Sequence, residues 1–451
     1  MTDTVAALSS GLVPSGVAVV RVSGPNVRFA IERIAGGVTQ PRFATLRTFK
    51  DPATGRTLDR GLVLFFPEPN SFTGEDVAEF HAHGGRAVVQ ALLQALWSLD
   101  GIVPAEAGDF TRQAFLNGKL DLTQVEAVGD LIHASTALQL DQALDQLDGA
   151  AGRKLDVWKN VIADARAMIE ADLDFSDEDD VPGSVVDSLP EQLQGLRQEM
   201  QDELSSSVAE RLREGFRVVL AGAPNSGKST LLNALLQRDA VLVSPIAGTT
   251  RDLIDVPVDL DGLPVILSDT AGIRPETMSR DAVEMMGIEK ARLAIDGADC
   301  VVWLLGGDQG EGPAVQVVPQ KTIRVRSKSD MDGADGAANQ EVDLCVSGKT
   351  GAGLDALKKR ISDMLRGRHG LDDEIGTARG RLVLDARRRL SVQSACSRLE
   401  GALDRLKEGS RSLDHAAEEL RLAQRALGSI SGDVDAEQVL DRVFSRFCIG
   451  K

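Results

Sequence analysis

The sequence predicts a multidomain protein of mixed α/β and α+β class, in which a domain with a mostly parallel, doubly wound sheet interrupts a bundle of helices. Its 451 residues are too many for one hydrophobic core. The spacing of apolar residues changes three times along the chain. It is typical first of short strands mixed with helices, then of long helices, then of alternating strands and helices, and finally of helices again. We predict an α+β domain over 1–118, a helical domain over 119–213 and 369–451, and an inserted domain over 214–368.

The N-terminal domain is predicted from short apolar runs that differ in their period. Val17–Val22 and Gly61–Phe66 are strand-type, whereas Arg86–Leu99 repeats apolar residues at helical spacing. Glycine, proline and asparagine turns separate these runs, as is typical of α+β domains.

Long amphipathic helices are predicted on both sides of the inserted domain. Apolar residues recur three and four positions apart along Leu122–Ile169, and the helical run Leu189–Arg213 follows. Arg379–Leu406, Asp414–Leu427 and Ala436–Phe447 are also helical. We expect the two helical blocks to pack together into one bundle.

The composition excludes several classes of function. Acidic residues outnumber basic ones 68 to 50, and a net charge of −18 argues against a surface that coats nucleic acid. The chain has no tyrosine, which disfavours a platform that stacks bases. Its 4 cysteines are widely spaced, and no apolar run is long enough to span a membrane. These observations favour a cytoplasmic protein.

The strongest local signal is a glycine-rich loop between a predicted strand, Arg217–Gly222, and a predicted helix, Thr230–Leu236. The segment Gly222–Ser229, GAPNSGKS, satisfies G-x-x-x-x-G-K-[ST] in the context that a phosphate loop requires. Small residues let backbone N–H groups surround phosphates, Lys228 adds a positive charge, and a serine hydroxyl can bind Mg²⁺. The predicted nucleotide-binding residues are Asn225, Ser226, Gly227, Lys228, Ser229 and Thr230, with Ser229 as the Mg²⁺ ligand.

Two further elements follow in the order found in a P-loop GTPase domain. Thr250, in Gly248–Asp252, corresponds to a first switch and would bind Mg²⁺ when a γ-phosphate is present. The D-x-x-G element is Asp269, Thr270, Ala271 and Gly272. Its Asp would hold the metal through water, and its Gly N–H would contact the γ-phosphate.

A base-binding element is predicted at Ser327, Lys328 and Asp330, where GTPases usually have N-K-x-D, followed by Ser347, Gly348 and Lys349. A carboxylate at position 330 can accept hydrogen bonds from guanine N1–H and the N2 amine, which adenine cannot offer in that arrangement. We therefore predict guanine preference. The absence of Asn at position 327 is expected to loosen the pocket. Only about twenty residues separate Cys300–Leu305 from this element, which predicts a trimmed domain.

Motifs over nearly the whole chain resemble the MnmE (TrmE) family. They are Val17–Pro25, Pro69–Asp76, Phe110–Leu122, Glu418–Gln424 and the C-terminal Phe447–Lys451 with its C-x-G-K pattern. Generic GTPases share none of these segments. The resemblance implies a GTPase of tRNA modification that, with the flavoprotein MnmG, installs an aminomethyl-type group on C5 of the wobble uridine, U34.

The resemblance also implies a homodimer whose GTPase domains associate across the nucleotide, with K⁺ in place of an arginine finger. The matching K⁺-binding positions are Asn225, Ser244, Ile246 and Thr249. Many GTPases have a Gln after the D-x-x-G element that orients the attacking water, but position 273 is Ile. Glu284 is the implied catalytic replacement, with a solvated surface position as its alternative.

A folate site, for 5-formyltetrahydrofolate or a related compound, is implied in a dimerising N-terminal domain. The matching positions are Arg21, Glu79, Lys119 and Lys451. Basic groups there would suit the anionic folate tail. Cys448 is implied to be catalytic in the modification reaction, where a thiolate nucleophile is chemically reasonable. A small buried apolar role is the alternative for this cysteine.

Two rival functions remain open on the sequence alone. A ribosome-assembly or signalling switch would predict a dedicated RNA-binding module, such as a KH domain with its GXXG loop, and we recognise no such module in the sequence. A folate-binding scaffold with a weakened GTPase domain would fail to bind GTP. His81 and His83 could also bind a metal from one strand face, although they lack a carboxylate or thiol partner at a recognised spacing.

Overall fold

The chain forms two compact units in the computed structural model. One contains residues 1–129, 146–197 and 391–451, and the other contains 130–145 and 198–390. The described residues are 3–174, 188–223, 225–239, 255–269, 289, 292–305, 318–330, 342–371, 381–408, 412–434, 440, 443–444, 447 and 449–450. The division into domains at 118, 213 and 368 remains a prediction.

The first unit begins with a mixed sheet. Its strands are β1 Thr4–Leu8, β2 Ser15–Ser23, β3 Thr45–Lys50, β4 Thr57–Phe66, β5 Val77–Gly84 and β6 Ile102–Pro104. They lie in the order β3-β4-β5-β2-β1-β6, and every neighbouring pair is antiparallel except β1 and β6. Three helices accompany the strands: α1 Val27–Ala35, α2 Arg86–Trp97 and α3 Asp109–Leu116. The predicted α+β class is confirmed here.

Successive side chains of β2 alternate between the face of the sheet that packs on the core and the opposite, polar face. Val20 and Val22 are fully buried and share an apolar cluster with Ile31 of α1. The intervening Arg21 points to the opposite face and is paired across the strands with Glu79 of β5. The strand register therefore brings two of the predicted folate-site residues together.

Helices follow from residue 122 onwards, as predicted. They are α4 Leu122–His133, α5 Ala137–Leu147, α6 Ala150–Asp174, α7 Leu189–Ser205 and α8 Val208–Glu214. The predicted helical run Leu189–Arg213 is divided between α7 and α8. The Ser205 hydroxyl donates to the Asp202 carbonyl at 2.8 Å at the end of α7, and serines that bond nearby backbone favour helix ends.

The inserted α/β domain lies in the second unit. Its strands are β7 Phe216–Gly222, β8 Asp255–Leu260, β9 Leu263–Asp269, β10 Cys300–Leu305, β11 Thr322–Arg326 and β12 Leu344–Cys345, and its longer helices are α9 Lys228–Asp239 and α10 Leu354–His369. The order is β12-β11-β10-β7-β9-β8, and all neighbours are parallel except β8 and β9. The predicted mostly parallel sheet is confirmed. The carboxyl ends of β7, β9 and β10 share one edge, where open α/β sheets bind ligands.

Two helices follow the inserted domain, α11 Ala386–Lys407 and α12 Leu413–Ser431. α12 packs along α6, with Trp158 and Leu420 fully buried, so helices from before and after the insertion pack together as predicted. α11 begins later than the predicted Arg379, because the Asp385 carboxylate accepts the Arg388 N–H at 2.8 Å and caps the helix. Most of the predicted helix Ala436–Phe447 lies outside the described residues. Among those described, no helix is long and apolar enough to cross a membrane.

Candidate functional site

The glycine-rich loop forms the turn between β7 and α9, as predicted. Gly222 has φ 148°, and a Cβ there would lie 2.5 Å from the carbonyl oxygen of Leu304. Gly227 has φ 93°. Glycine adopts both conformations without a steric penalty, so the loop can pass close to β10. Helix α9 begins at Lys228, slightly earlier than predicted, and its N-terminal N–H groups therefore adjoin the loop.

Lys228 folds back over this loop. Its Nζ donates hydrogen bonds to the carbonyl oxygens of Gly222 and Ala223 at 3.0 and 2.9 Å. Burial lowers the pKa of Lys228, and the carboxylate of Asp269 opposes that shift. A buried cation among backbone N–H groups is suited to bind a phosphate, because the anion compensates the charge.

Ser229 and Asp269 meet beside the loop. Ser229 Oγ donates to Asp269 Oδ2 at 2.8 Å, and the aspartate ends strand β9. Mg²⁺ prefers such hard oxygen ligands, which it binds directly or through water. The donor set at this position therefore fits the magnesium ion that the sequence predicts.

A cavity of about 180 Å³ opens next to the phosphate loop. Residues from three segments line it: Gly227, Thr230 and Leu231; Ser327, Lys328 and Asp330; and Val346, Gly348 and Lys349. Residues predicted to bind the phosphates and residues predicted to bind the base both line this cavity, as expected for a single nucleotide site.

Asp330 is held in one orientation by Ser347. Ser347 Oγ donates to Asp330 Oδ1 at 2.6 Å, and this bond is the main cause that lowers the pKa of Asp330. Ser347 is fully buried, and its oxygen also accepts the N–H groups of Lys349 and Thr350 at 3.2 and 3.1 Å. The result is an ionised, oriented carboxylate that can accept two hydrogen bonds from the guanine edge.

The residues before Asp330 reach the phosphate loop. Lys328 Nζ donates to the carbonyl oxygen of Asn225 at 2.9 Å, and Ser327 Oγ donates to the carbonyl oxygen of Ser226. A Cβ on Gly348 would lie 3.0 Å from the Thr230 carbonyl oxygen, so glycine lets its segment pack close to α9. The serine at position 327 thus provides a connection between the two segments.

Several predicted residues lie outside the part of the chain that the structure describes. They are Ser244, Ile246, Thr249, Thr250, Thr270, Ala271, Gly272, Glu284, Cys448 and Lys451. Asn225, the remaining member of the predicted K⁺ set, has φ 63°. That left-handed conformation is uncommon for residues other than glycine, although Asn tolerates it better than most.

Arg21 and Glu79 form an ion pair in the first unit. Arg21 Nη2 lies 2.8 Å from Glu79 Oε1, and His81 Nε2 lies 3.3 Å from Oε2 of the same carboxylate. The guanidinium also lies 5.8 and 5.7 Å from the ring centroids of Phe72 and Phe110. Sequence reasoning did not select these two rings, although both lie in segments that carry the family resemblance.

Lys119 and the C-terminal segment also approach this domain. Lys119 Cγ lies 3.3 Å from the position that a Cβ of Gly74 would occupy, in the loop that contains Phe72. Ser9 Oγ donates to the carbonyl oxygen of Gly450 at 2.8 Å. Cations, a carboxylate and aromatic rings on one domain suit a ligand that has a ring with N–H groups and an anionic tail.

The metal site considered for His81 and His83 finds no support in the structure. His83 Nδ1 lies 2.8 Å from Asp59 Oδ1, and His81 contacts Glu79 instead. Within the described ranges, no cluster of three or more His, Cys, Asp or Glu side chains could hold a metal ion.

The phosphate loop, the Ser229–Asp269 pair and the Asp330 carboxylate lie in one α/β domain and define a P-loop GTPase. The flanking domains are more specific. Residues 4–119 match the N-terminus of the GTP-binding protein TrmE, and residues 122–448 match the MnmE helical domain. The chain belongs to the MnmE (TrmE) family.

Full-length relatives agree with these matches. The tRNA modification GTPase MnmE of Methylorubrum populi is 47% identical over 457 residues, which cover 100% of this chain and 98% of that protein. Proteins of the same name from Chelativorans sp. and Brucella anthropi are 46% and 44% identical, covering 100% of this chain and 98% and 99% of theirs. A structure of Era from Aquifex aeolicus bound to GDP and AlF4⁻ is 28% identical over 33% of this chain and 56% of its own, with a TM-score of 0.26.

Proposed function

We propose that this protein hydrolyses GTP to drive the modification of the wobble uridine, U34, of tRNA, and that it acts in the cytoplasm. The observation that carries the proposal is the GTPase site, which lies within the stretch that matches the family's helical domain, in a chain that aligns over its whole length with tRNA modification GTPases. With the flavoprotein MnmG as its partner, it would add a (carboxymethyl)aminomethyl group at C5 of the uracil.

Each part of the GTPase site has a role in the proposed hydrolysis. Lys228 and the loop N–H groups bind the β- and γ-phosphates. Ser229 and Asp269 would hold Mg²⁺, which would supply positive charge against the charge that develops on the phosphates. Glu284 orients the attacking water. Asn225, with Ser244, Ile246 and Thr249, would hold K⁺, which supplies the positive charge that an arginine finger gives other GTPases.

The N-terminal domain is proposed to bind a folate and to form a homodimer. The Glu79 carboxylate can accept N–H groups of a pterin ring, and Arg21, Lys119 and Lys451 can bind the anionic tail. The contacts of Arg21 with two aromatic rings support this proposal, since a flat conjugated ligand packs well beside such a surface. Cys448 is proposed as a reactive thiol in the modification step.

The hydrolysis proposal is tested by measuring GTP turnover in KCl and in NaCl. We expect faster turnover in KCl, and a loss of turnover in Glu284→Ala. The exposed Glu289, a few residues further along the same segment, provides the matched control Glu289→Ala. Equal rates in the two salts would remove K⁺ from the proposal, and equal rates in the two variants would remove Glu284.

The tRNA proposal is tested by mass spectrometry of tRNA nucleosides from cells that lack this protein. We expect wobble uridines without the C5 group, and recovery when the unsubstituted chain is supplied. Lys228→Ala, which removes the phosphate-binding charge, should not restore the modification. Unchanged nucleosides in the deletion strain would contradict the proposal and favour a regulatory GTPase.

A further inference from the structure

Helix α8, the last element before β7, is packed into the core of the inserted α/β domain. Its Val208 and Leu212 are buried in the same apolar cluster as Phe216, the first residue of β7. Arg211 Nη1 lies 3.2 Å from Oδ2 of the buried Asp299, which directly precedes β10. Because both apolar and ionic contacts hold it, α8 is a fixed part of the domain that carries the phosphate loop.

The same helix is bound on another side by α5. Gln142 Nε2 donates to the carbonyl oxygen of Ala209 at 2.9 Å, and Gln139 Nε2 donates to that of Arg213 at 3.1 Å. These bonds join residues that are 67 and 74 positions apart in the sequence. Leu138 of α5 also packs against the apolar cluster of the α/β domain. Helix α5 is therefore attached to the inserted domain, although it precedes that domain by more than one helix.

Two ion pairs connect α8 to further helices. Arg213 Nε lies 2.8 Å from Asp130 Oδ1 of α4, and Arg389 Nη2 of α11 lies 3.1 Å from Glu210 Oε2. All four residues belong to the second unit of the chain. One short helix thus binds segments from before and after the insertion to the α/β domain.

We propose that α8 couples α5 to the inserted domain, so that nucleotide binding at the phosphate loop also stabilises α5. The inference rests on the proposed function in one respect, because it takes a guanine nucleotide as the ligand. A ligand that binds only the folded domain makes every opening that destroys its site rarer, and elements that open together are stabilised together. By this route the state of the nucleotide site reaches a helix that has no contact with the phosphate loop.

The alternative is a pivot at Gly215, between α8 and β7, with α5 opening independently of the α/β domain. Gly215 has φ 89°, and its N–H donates to the carbonyl oxygen of Arg211 at 2.8 Å. A Cβ at this position would lie 3.1 Å from Ile266 Cγ1. The glycine is therefore hydrogen-bonded and closely packed, which disfavours a pivot there. The two accounts differ in the effect that a nucleotide has on α5.

Hydrogen exchange of the full chain, measured by mass spectrometry with and without GDP and Mg²⁺, distinguishes the two accounts. With free GDP at about 100 times its dissociation constant, exchange through opening of the inserted domain should slow about 100-fold. We expect this slowing in β7 and to a similar extent in the centre of α5, around the buried Ala143, but not in α12 of the first unit. Slowing in β7 with unchanged exchange in α5 would overturn the inference, as would equal slowing in α12.

The role of α8 is tested with Gln142→Ala, which removes one hydrogen bond between α5 and α8. Loss of a neutral hydrogen bond should make the GDP-induced slowing of α5 about two- to ten-fold smaller, while the slowing of β7 stays at the parental value. Leu140→Ala is the matched control on the same helix, because this side chain is 42% exposed, and it should keep the parental slowing in both elements. Equal slowing of α5 in the two variants would refute a connection through α8.

A variant in the domain core tests the coupling without any nucleotide. Ile323 of β11 is fully buried in the apolar cluster, and Ile323→Val should speed exchange through opening of the inserted domain by about two- to ten-fold. We expect α5 and β7 to accelerate by the same factor. If GDP slows neither element, the proposed GTP site fails, and this variant alone decides the inference: parental exchange in α5 beside faster exchange in β7 would overturn it.

Discussion

Asp330 is the residue proposed to select guanine, and a hydrogen bond from Ser347 holds its carboxylate in one orientation. The bond from Ser347 lowers the pKa of Asp330, so the carboxylate is ionised well below neutral pH. Its acceptor oxygens match the N1–H and N2 amine of guanine. Xanthine carries an oxygen at C2 instead, and a carboxylate would repel it while an amide could donate to it.

Asp330→Asn is therefore expected to exchange guanine preference for xanthine preference. Hydrogen bonds to a charged group contribute about 1.5–3 kcal/mol each, so GDP affinity should fall by at least about ten-fold while XDP affinity rises. Isothermal titration with both nucleotides measures the change. Parental GDP affinity in Asp330→Asn, at any pH from 6 to 8, would show that another residue reads the base.

His369 should make the end of α10 sensitive to acid. Its ring lies 5.3 Å from that of Phe216, the first residue of β7. Its Nε2 is buried, has no hydrogen bond to any residue that the structure describes, and lies 3.5 Å from Asp299 Oδ1. Burial lowers the pKa of His369; Asp299 opposes the shift, and Arg211 and Arg368 add to it. The folded protein therefore disfavours the protonated ring.

The sign of the pH dependence follows from that shift. As the pH falls below about 6.5, the unfolded chain binds the proton first, so the stabilisation from neutral His369 is present above that pH and is lost on acidification. His369→Gln, which keeps a polar side chain but cannot take up the proton, should lose less thermal stability between pH 7 and pH 5 than the parent. Parallel melting curves for the two proteins across this range would contradict the prediction.

The packing of α12 against α6 should be a principal source of stability in the first unit. Leu420 is fully buried, and Leu420→Ala is expected to cost about 2–5 kcal/mol in the free energy of unfolding. Arg421→Ala on the same helix is the control, because its ion pair with Glu418 is half exposed and screened by water, so that its loss should change stability little. Urea unfolding followed by circular dichroism compares the two, and equal midpoints would refute the packing account.

Local sequence patterns predicted most of the helices and strands. The features that they did not predict depend mainly on contacts between residues far apart in the sequence. The strand, loop and helix around Lys228 can be predicted from the spacing of apolar residues and the positions of glycines, because both signals are contained in a short stretch of sequence. The Ser327 hydroxyl bond joins positions 101 apart, and the rings beside Arg21 come from separate segments, so no local rule could select them. The start of α11 shifted for a local reason, the cap supplied by Asp385.

The net charge of the protein also limits how it can bind RNA. A charge of −18 repels the phosphate backbone at long range, so little non-specific tRNA binding is expected. Recognition of tRNA therefore falls to a local surface or to the proposed flavoprotein partner. The proposed homodimer would double the number of such surfaces without changing the sign of the overall charge.

Association of two GTPase domains across the nucleotide should bring their sheets closer together, and Cys345 allows this to be measured. This thiol is exposed, whereas burial raises the pKa of Cys300 to about 12 and of Cys396 to about 11, which leaves those thiols protonated and unreactive. In a Cys448→Ser background, a spin label should therefore react selectively at Cys345, on the edge strand β12.

We expect the distance between the two labels of a homodimer to shorten when GDP and aluminium fluoride are added in KCl, and to remain long in NaCl. The reason is that the proposed cation neutralises charge between nucleotide and partner domain, so that the closed arrangement costs less without an arginine finger. Lys228→Ala, which should not bind the nucleotide, serves as the control and should keep the long distance in both salts. A distance that shortens equally in NaCl would show that closure depends on the nucleotide alone, and the role of K⁺ would then lie outside domain association.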